Sequence, residues 1–165
     1  MKYLKYYEYT IEDEPQNFRE VDLQLLWDDL NYYQFKLFDK PKHIDNFYLH
    51  QILIPLLLNK NVEFLRSIHH YDKEISYGMN GKIENINISD GLEQFDKFKS
   101  ILANLENDPN TWILAKIDGS GIKFDPSKNI IRKDKKPAII KIYNSEPLEI
   151  EDKILSLKSS EKYNL

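Results

Sequence analysis

Cysteine is absent from the 165 residues, which removes disulfides, thiolate metal ligands and a cysteine nucleophile together and suits a reducing compartment. A long uncharged apolar run is missing too. The longest uncharged stretch, residues 46–59, is too short to span a bilayer and carries His50, Gln51 and Pro55. Lys5, Glu8 and Glu12 interrupt the opening run MKYLKYYEYTIEDEP, unlike the apolar stretch of a secretion signal. These absences set the expectation of a soluble, cytoplasmic protein with no membrane partner.

Signatures of catalysis are equally scarce. No serine sits in a GxSxG elbow or an SxxK pair. Asp118-Gly119-Ser120-Gly121 lacks the GKS or GKT of a phosphate loop, the GxGxxG spacing and the twelfth-position Glu of a calcium loop, so it reads as a hairpin turn. The expectation is a non-enzymatic protein that needs no cofactor.

What is present is aromatic residues and an uneven charge. The chain holds 11 Tyr and 8 Phe and is rich in Lys, Asn and Ile; AT-rich codon usage and a Tyr-rich binding surface both account for that composition. Residues 1–110 carry 12 Lys/Arg against 19 Asp/Glu, whereas residues 111–165 carry 11 against 8. The amino-terminal two-thirds is therefore acidic and the remainder basic. At this length roughly 70% of the unfolded surface can be buried, which predicts a single globular domain over residues 1–158 with a frayed tail at 159–165.

Hydrophobic spacing predicts an α+β fold: a mainly helical body of three to five helices with a small antiparallel sheet. The sheet is expected from the carboxy-terminal third, with an amino-terminal strand at residues 2–9 as a further member. Leu23, Leu26, Leu30, Tyr33 and Leu37 recur at three and four residues and predict a helix over about 18–38. Residues 43–71 read as two apolar helices joined at Asn59-Lys60-Asn61, with a kink or break at Pro55. Residues 77–90 change character, with turn signals at Gly78 and Gly81 and with Ile86 and Ile88 alternating with Asn85 and Asn87 as in a short strand or extended loop; residues 91–107 read as a third helix with Leu92, Phe95, Leu102 and Leu105 on one side. Strands are predicted at 111–117 and 138–143, and a short helix at 149–157.

Three constellations point to different functions. Tyr6, Tyr7, Glu12, Asp13, Asp28, Asp29 and Tyr32 combine carboxylates with tyrosines inside the first 33 residues; carboxylates steer a basic partner and Tyr supplies contact area with a hydrogen-bonding tip. This favours stoichiometric binding of a basic protein, most concretely an immunity-type inhibitor masking a bacterial toxin domain. A second reading uses His50, His69, His70 and Asp72 as a metal site of a metal-binding protein or metal-dependent hydrolase. Against it, no HExxH motif occurs and His69-His70 point to different faces of a helix. The third reading is an accessory nucleic-acid binder working through Arg132, Lys133, Lys135 and Lys136 of the basic 128–141 segment. Overall acidity and sparse interleaved aromatics weigh against nucleic acid as the main partner.

Overall fold

The structure is a computed structural model and describes residues 17–38, 46–65, 79–90, 98–118 and 137–163. Six strands and four helices hold nearly equal shares of those residues. The strands are β1 (Phe18–Asp22), β2 (Asn61–Phe64), β3 (Asn80–Asp90), β4 (Phe98–Leu105), β5 (Thr111–Asp118) and β6 (Ile139–Tyr143). The helices are α1 (Leu23–Tyr32), α2 (Gln34–Leu37), α3 (Asn46–Leu57) and α4 (Glu149–Tyr163). One antiparallel sheet runs in the order β1-β6-β2-β3-β4-β5.

This corrects the expectation of a mainly helical body with a small sheet: the class is α+β, but the sheet is the frame. The correction comes from three segments. Residues 18–22 are a strand, not the first turn and a half of a helix, with Val21 turned into the core and Phe18 and Glu20 exposed. The expected second helix of the 43–71 hairpin is replaced over Asn61–Phe64 by β2, where Val62 and Phe64 are buried and alternate with Asn61 and Glu63. The expected helix at 91–107 gives way to β4, in which Ile101, Ala103 and Leu105 are buried on one face. Leu102 and Leu105, three apart and assigned to one helix side, lie on opposite faces of this strand. Over so few residues, apolar runs fit either period.

β5 and β6 occupy the positions that alternation predicts, and α4 begins where expected but continues through residues 159–163. Pro55 lies in the last turn of α3 with its ring exposed, and the helix carries on to Leu57. Asn59, Asn107 and Asn144 take positive φ, at 63°, 66° and 51°, a region Asn tolerates because its short amide bonds locally. They follow α3, turn the β4–β5 hairpin and leave β6, respectively.

The helices cover one face of the sheet. Leu23, Leu26, Trp27 and Leu30 of α1 and Leu49, Leu53, Leu56 and Leu57 of α3 join Ile83, Ile101, Ile117, Ile140 and Ile142 of the strands in one core. α1 leaves β1 at one edge of the sheet yet packs against β5 at the other, so the sheet curls around it, as its twist permits. β2 pairs with β3 only over Asn80–Lys82. Beyond that, α3 flanks β3, and the His50 ring nitrogen Nε2 donates to the Ile86 carbonyl at 3.0 Å. On the far face β3 is polar, with Asn85, Asn87 and Ser89 exposed.

Candidate functional site

The sequence that positions the site begins with Asp22. Its backbone is extended, and its carboxylate Oδ1 accepts from the Gln24 and Leu25 amides at 3.0 and 3.1 Å, closing the amino end of α1. The same oxygen accepts from the Ala138 amide at 3.2 Å, tying the start of α1 to β6. α1 then turns Leu23, Leu26, Leu30 and Trp27 toward the sheet, and Asp29, Tyr32 and Tyr33 toward α4.

α4 meets α1 and β1 through a stripe of Glu151, Ile154, Lys158 and Glu161, spaced at three, four and three residues. Glu151 accepts from the amide of Leu148, the residue before its helix, at 2.8 Å, the backward reach of a capping box. It also takes the Arg19 guanidinium as a fork, at 2.7 and 2.9 Å, while Arg19 Nε donates to Ser145 at 3.2 Å. Lys158 Nζ lies 2.6 Å from Asp29 Oδ2; the carboxylate side is 6% exposed and the ammonium side 36%. Farther along, Tyr33 and Tyr32 both donate to Glu161, at 2.9 and 3.2 Å. Burial first, then the hydrogen bond to Glu161 and its charge, hold the Tyr33 hydroxyl well above the ordinary phenol range. Tyr32 is shifted the same way, by burial and then by the Glu161 charge.

These three clasps leave a groove of about 330 Å³ between β1, α1 and α4. Leu25, Leu26, Ile154 and Leu155 form its apolar walls, and Glu20, Asp22, Asp29 and Glu151 bring carboxylates to it against one ammonium, Lys158. With Arg19 behind Glu151 counted, acids still outnumber bases four to two. A second groove of about 370 Å³ runs along the other flank of α4, where Lys36 and Lys153 balance Glu149 and Asp152. Only the first groove has a preferred sign of charge.

The structure brings some expected residues to this place and not others. Asp29 lines the groove, buried against Lys158, and Tyr32 sits at its far end on Glu161. Asp28 is half-buried and accepts from Gln24 Nε2 at 3.2 Å. All three make intramolecular contacts. Tyr6, Tyr7, Glu12 and Asp13 lie outside the described residues, as do His69, His70, Asp72, Arg132, Lys133, Lys135 and Lys136. Among the described residues no three His, Asp or Glu side chains converge as a metal would require, and no helix is long and apolar enough to cross a membrane.

Sequence reasoning missed Arg19, Glu20, Glu151, Leu155 and Lys158. The 3-4-3 spacing on α4 carried the one available signal, a stripe mixing one apolar residue with three charged ones. No known family model, curated protein or solved structure matches the chain.

Proposed function

We propose that the protein is a binding module that acts by stoichiometric association with a basic protein, most concretely an immunity-type inhibitor of a cationic toxin domain. The observation that supports this is the groove between β1, α1 and α4, in which four carboxylates stand over apolar walls. An Arg or Lys side chain of a partner can lay its aliphatic stem along Leu25, Ile154 and Leu155 and carry its charge to Glu20 and Asp22. The clasps from Arg19 to Glu151 and from Lys158 to Asp29 hold the walls in place before binding, so little ordering cost falls on association. Leu155, 64% exposed, supplies an apolar anchor at the rim. Long-range attraction by the acidic two-thirds of the chain would raise the on-rate and make it salt-sensitive.

The test is co-purification at low salt with the intact chain as bait, beside Leu155→Asp and Glu20→Gln variants. Both positions are exposed, so the variants keep the fold. The expected result is one basic protein near one-to-one stoichiometry, released by salt and depleted with either variant. An acidic partner, or one held equally by both variants, would sink the reading.

A further inference from the structure

The groove runs along the edge of the sheet. β1 is the first strand in the sheet order, and among the described residues no strand pairs with its outer side. Its hydrogen-bond phase follows from the bonds at its two ends. The Asn144 amide donates to the Asn17 carbonyl at 2.7 Å, and the Leu23 amide donates to the Ala138 carbonyl at 2.9 Å. In an antiparallel pair bonded positions alternate, so Arg19 and Val21, opposite Ile142 and Ile140, spend their main-chain groups on β6. The amides and carbonyls of Phe18 and Glu20 point the other way, off the edge of the sheet.

Two further observations converge on that edge. Successive side chains of a strand point to opposite faces, yet Glu20, Val21 and Asp22, three in a row, all line the groove. A cavity that touches consecutive strand residues lies beside the backbone and not on one face. β1 contains no proline and no lysine to blunt that edge, and its one cation, Arg19, is engaged by Glu151. Phe18, 51% exposed, begins the strand, with Lys141 Nζ 4.0 Å from its ring centroid.

We infer that β1 takes up an extended, basic segment of the partner as an added strand. Main-chain bonds to Phe18 and Glu20 provide affinity, and alternate basic side chains of the segment enter the acidic groove. The inference rests on the proposed basic partner and adds how that partner is held.

Glu20 offers a clean probe. Its amide faces outward, so Glu20→Pro deletes the outward donor and costs β1–β6 no hydrogen bond, as proline on an edge strand allows; Glu20→Gln removes the charge and keeps the donor. The probes are a short peptide alternating Lys and Thr and its Glu and Thr counterpart, titrated into the full chain. Affinity is measured by calorimetry, and exchange of the Phe18 and Glu20 amides by NMR on the unaltered protein, which needs no variant to fold. Expected are slower exchange at both amides with the Lys peptide and none with the Glu peptide. Binding should weaken on the order of tenfold in Glu20→Pro and by less in Glu20→Gln. If the Lys peptide binds without slowing those amides, or binds Glu20→Pro unchanged, edge addition is wrong while the basic-partner reading survives. If both peptides slow the amides equally, the edge is used but the charge preference fails, and with it both proposals. No binding of either peptide at millimolar concentration overturns the inference and leaves co-purification to decide the reading.

Discussion

The two sides of α1 are held by different forces. Toward the sheet, Leu23, Leu26, Trp27 and Leu30 are buried with the strand isoleucines; toward α4, Asp29, Tyr32 and Tyr33 meet Lys158 and Glu161. Apolar burial is non-directional and grows with area. The α4 seam instead depends on pairing charges and hydroxyls at defined positions, and each pair offsets its own desolvation before contributing anything. The difference teaches where the molecule can afford an open groove. A seam built of spaced polar clasps leaves gaps between them, and the gap in which carboxylates outnumber cations is the candidate site. A seam of interlocking leucines would have closed it.

The strongest way to test this contrast is to damage the sheet side. Leu30 is fully buried, and Leu30→Ala should cost about 2–5 kcal/mol in urea unfolding through lost transfer energy and the cavity left behind. A loss below about 1 kcal/mol would mean that the site collapses and that α1 is not the centre of the core.

On the seam the prediction is an asymmetry. Lys158→Met takes the cation away from a carboxylate that is 6% exposed, whereas Asp29→Asn leaves an ammonium already 36% exposed, which can turn to water. The lysine variant should therefore lose more, about 1–3 kcal/mol, and the asparagine variant less. Equal losses in the two variants would show that the pair is solvated and that the contrast between the sides of α1 is overstated.

The smallest effect should come from Tyr33→Phe, about 1 kcal/mol for the hydrogen bond to Glu161, and it carries a pH signature. Tyr33 is raised above the ordinary phenol value in the folded protein, so the unfolded chain gives up this proton first. The contribution is then complete below about pH 10 and falls as pH rises through and beyond that value. Denaturation curves at rising alkaline pH should fall less steeply for the Phe variant. Parallel curves would mean that Glu161 does not hold the proton on Tyr33.

Part of the fold could be read locally, and the reason differs by element. β5 and β6 are recognisable because Thr111–Asp118 and Ile139–Tyr143 are rich in strand-forming residues and bounded by turn residues. The apolar stripe of α1 identifies that helix, although its start moves from residue 18 to Leu23 once Asp22 is seen to cap it. β2 and β4 read as helices from the sequence, because Val62 with Leu65, or Leu102 with Leu105, fit a helical period, while Val62 with Phe64, or Ile101 with Ala103 and Leu105, fit a strand's equally well. Partner strands decided the matter: Val62 lies opposite Ile142 on one side and Gly81 on the other, and no local propensity contains that information.

The candidate site divides the same way. Composition alone located the carboxylates and marked the amino-terminal two-thirds as acidic, because charge is a property of residue type. Which carboxylates are sequestered and which line a groove depended on contacts between residues more than a hundred positions apart, Arg19 with Glu151 and Asp29 with Lys158. Solvent exposure and ion pairing are properties of neighbours in space. Residue type and spacing by themselves determined the acidic balance, the α+β class and the runs that form β5, β6 and α1. The sheet order, the outward edge of β1 and the groove beside α4 were decided only when distant segments packed, since strand pairing and the seam are non-local interactions.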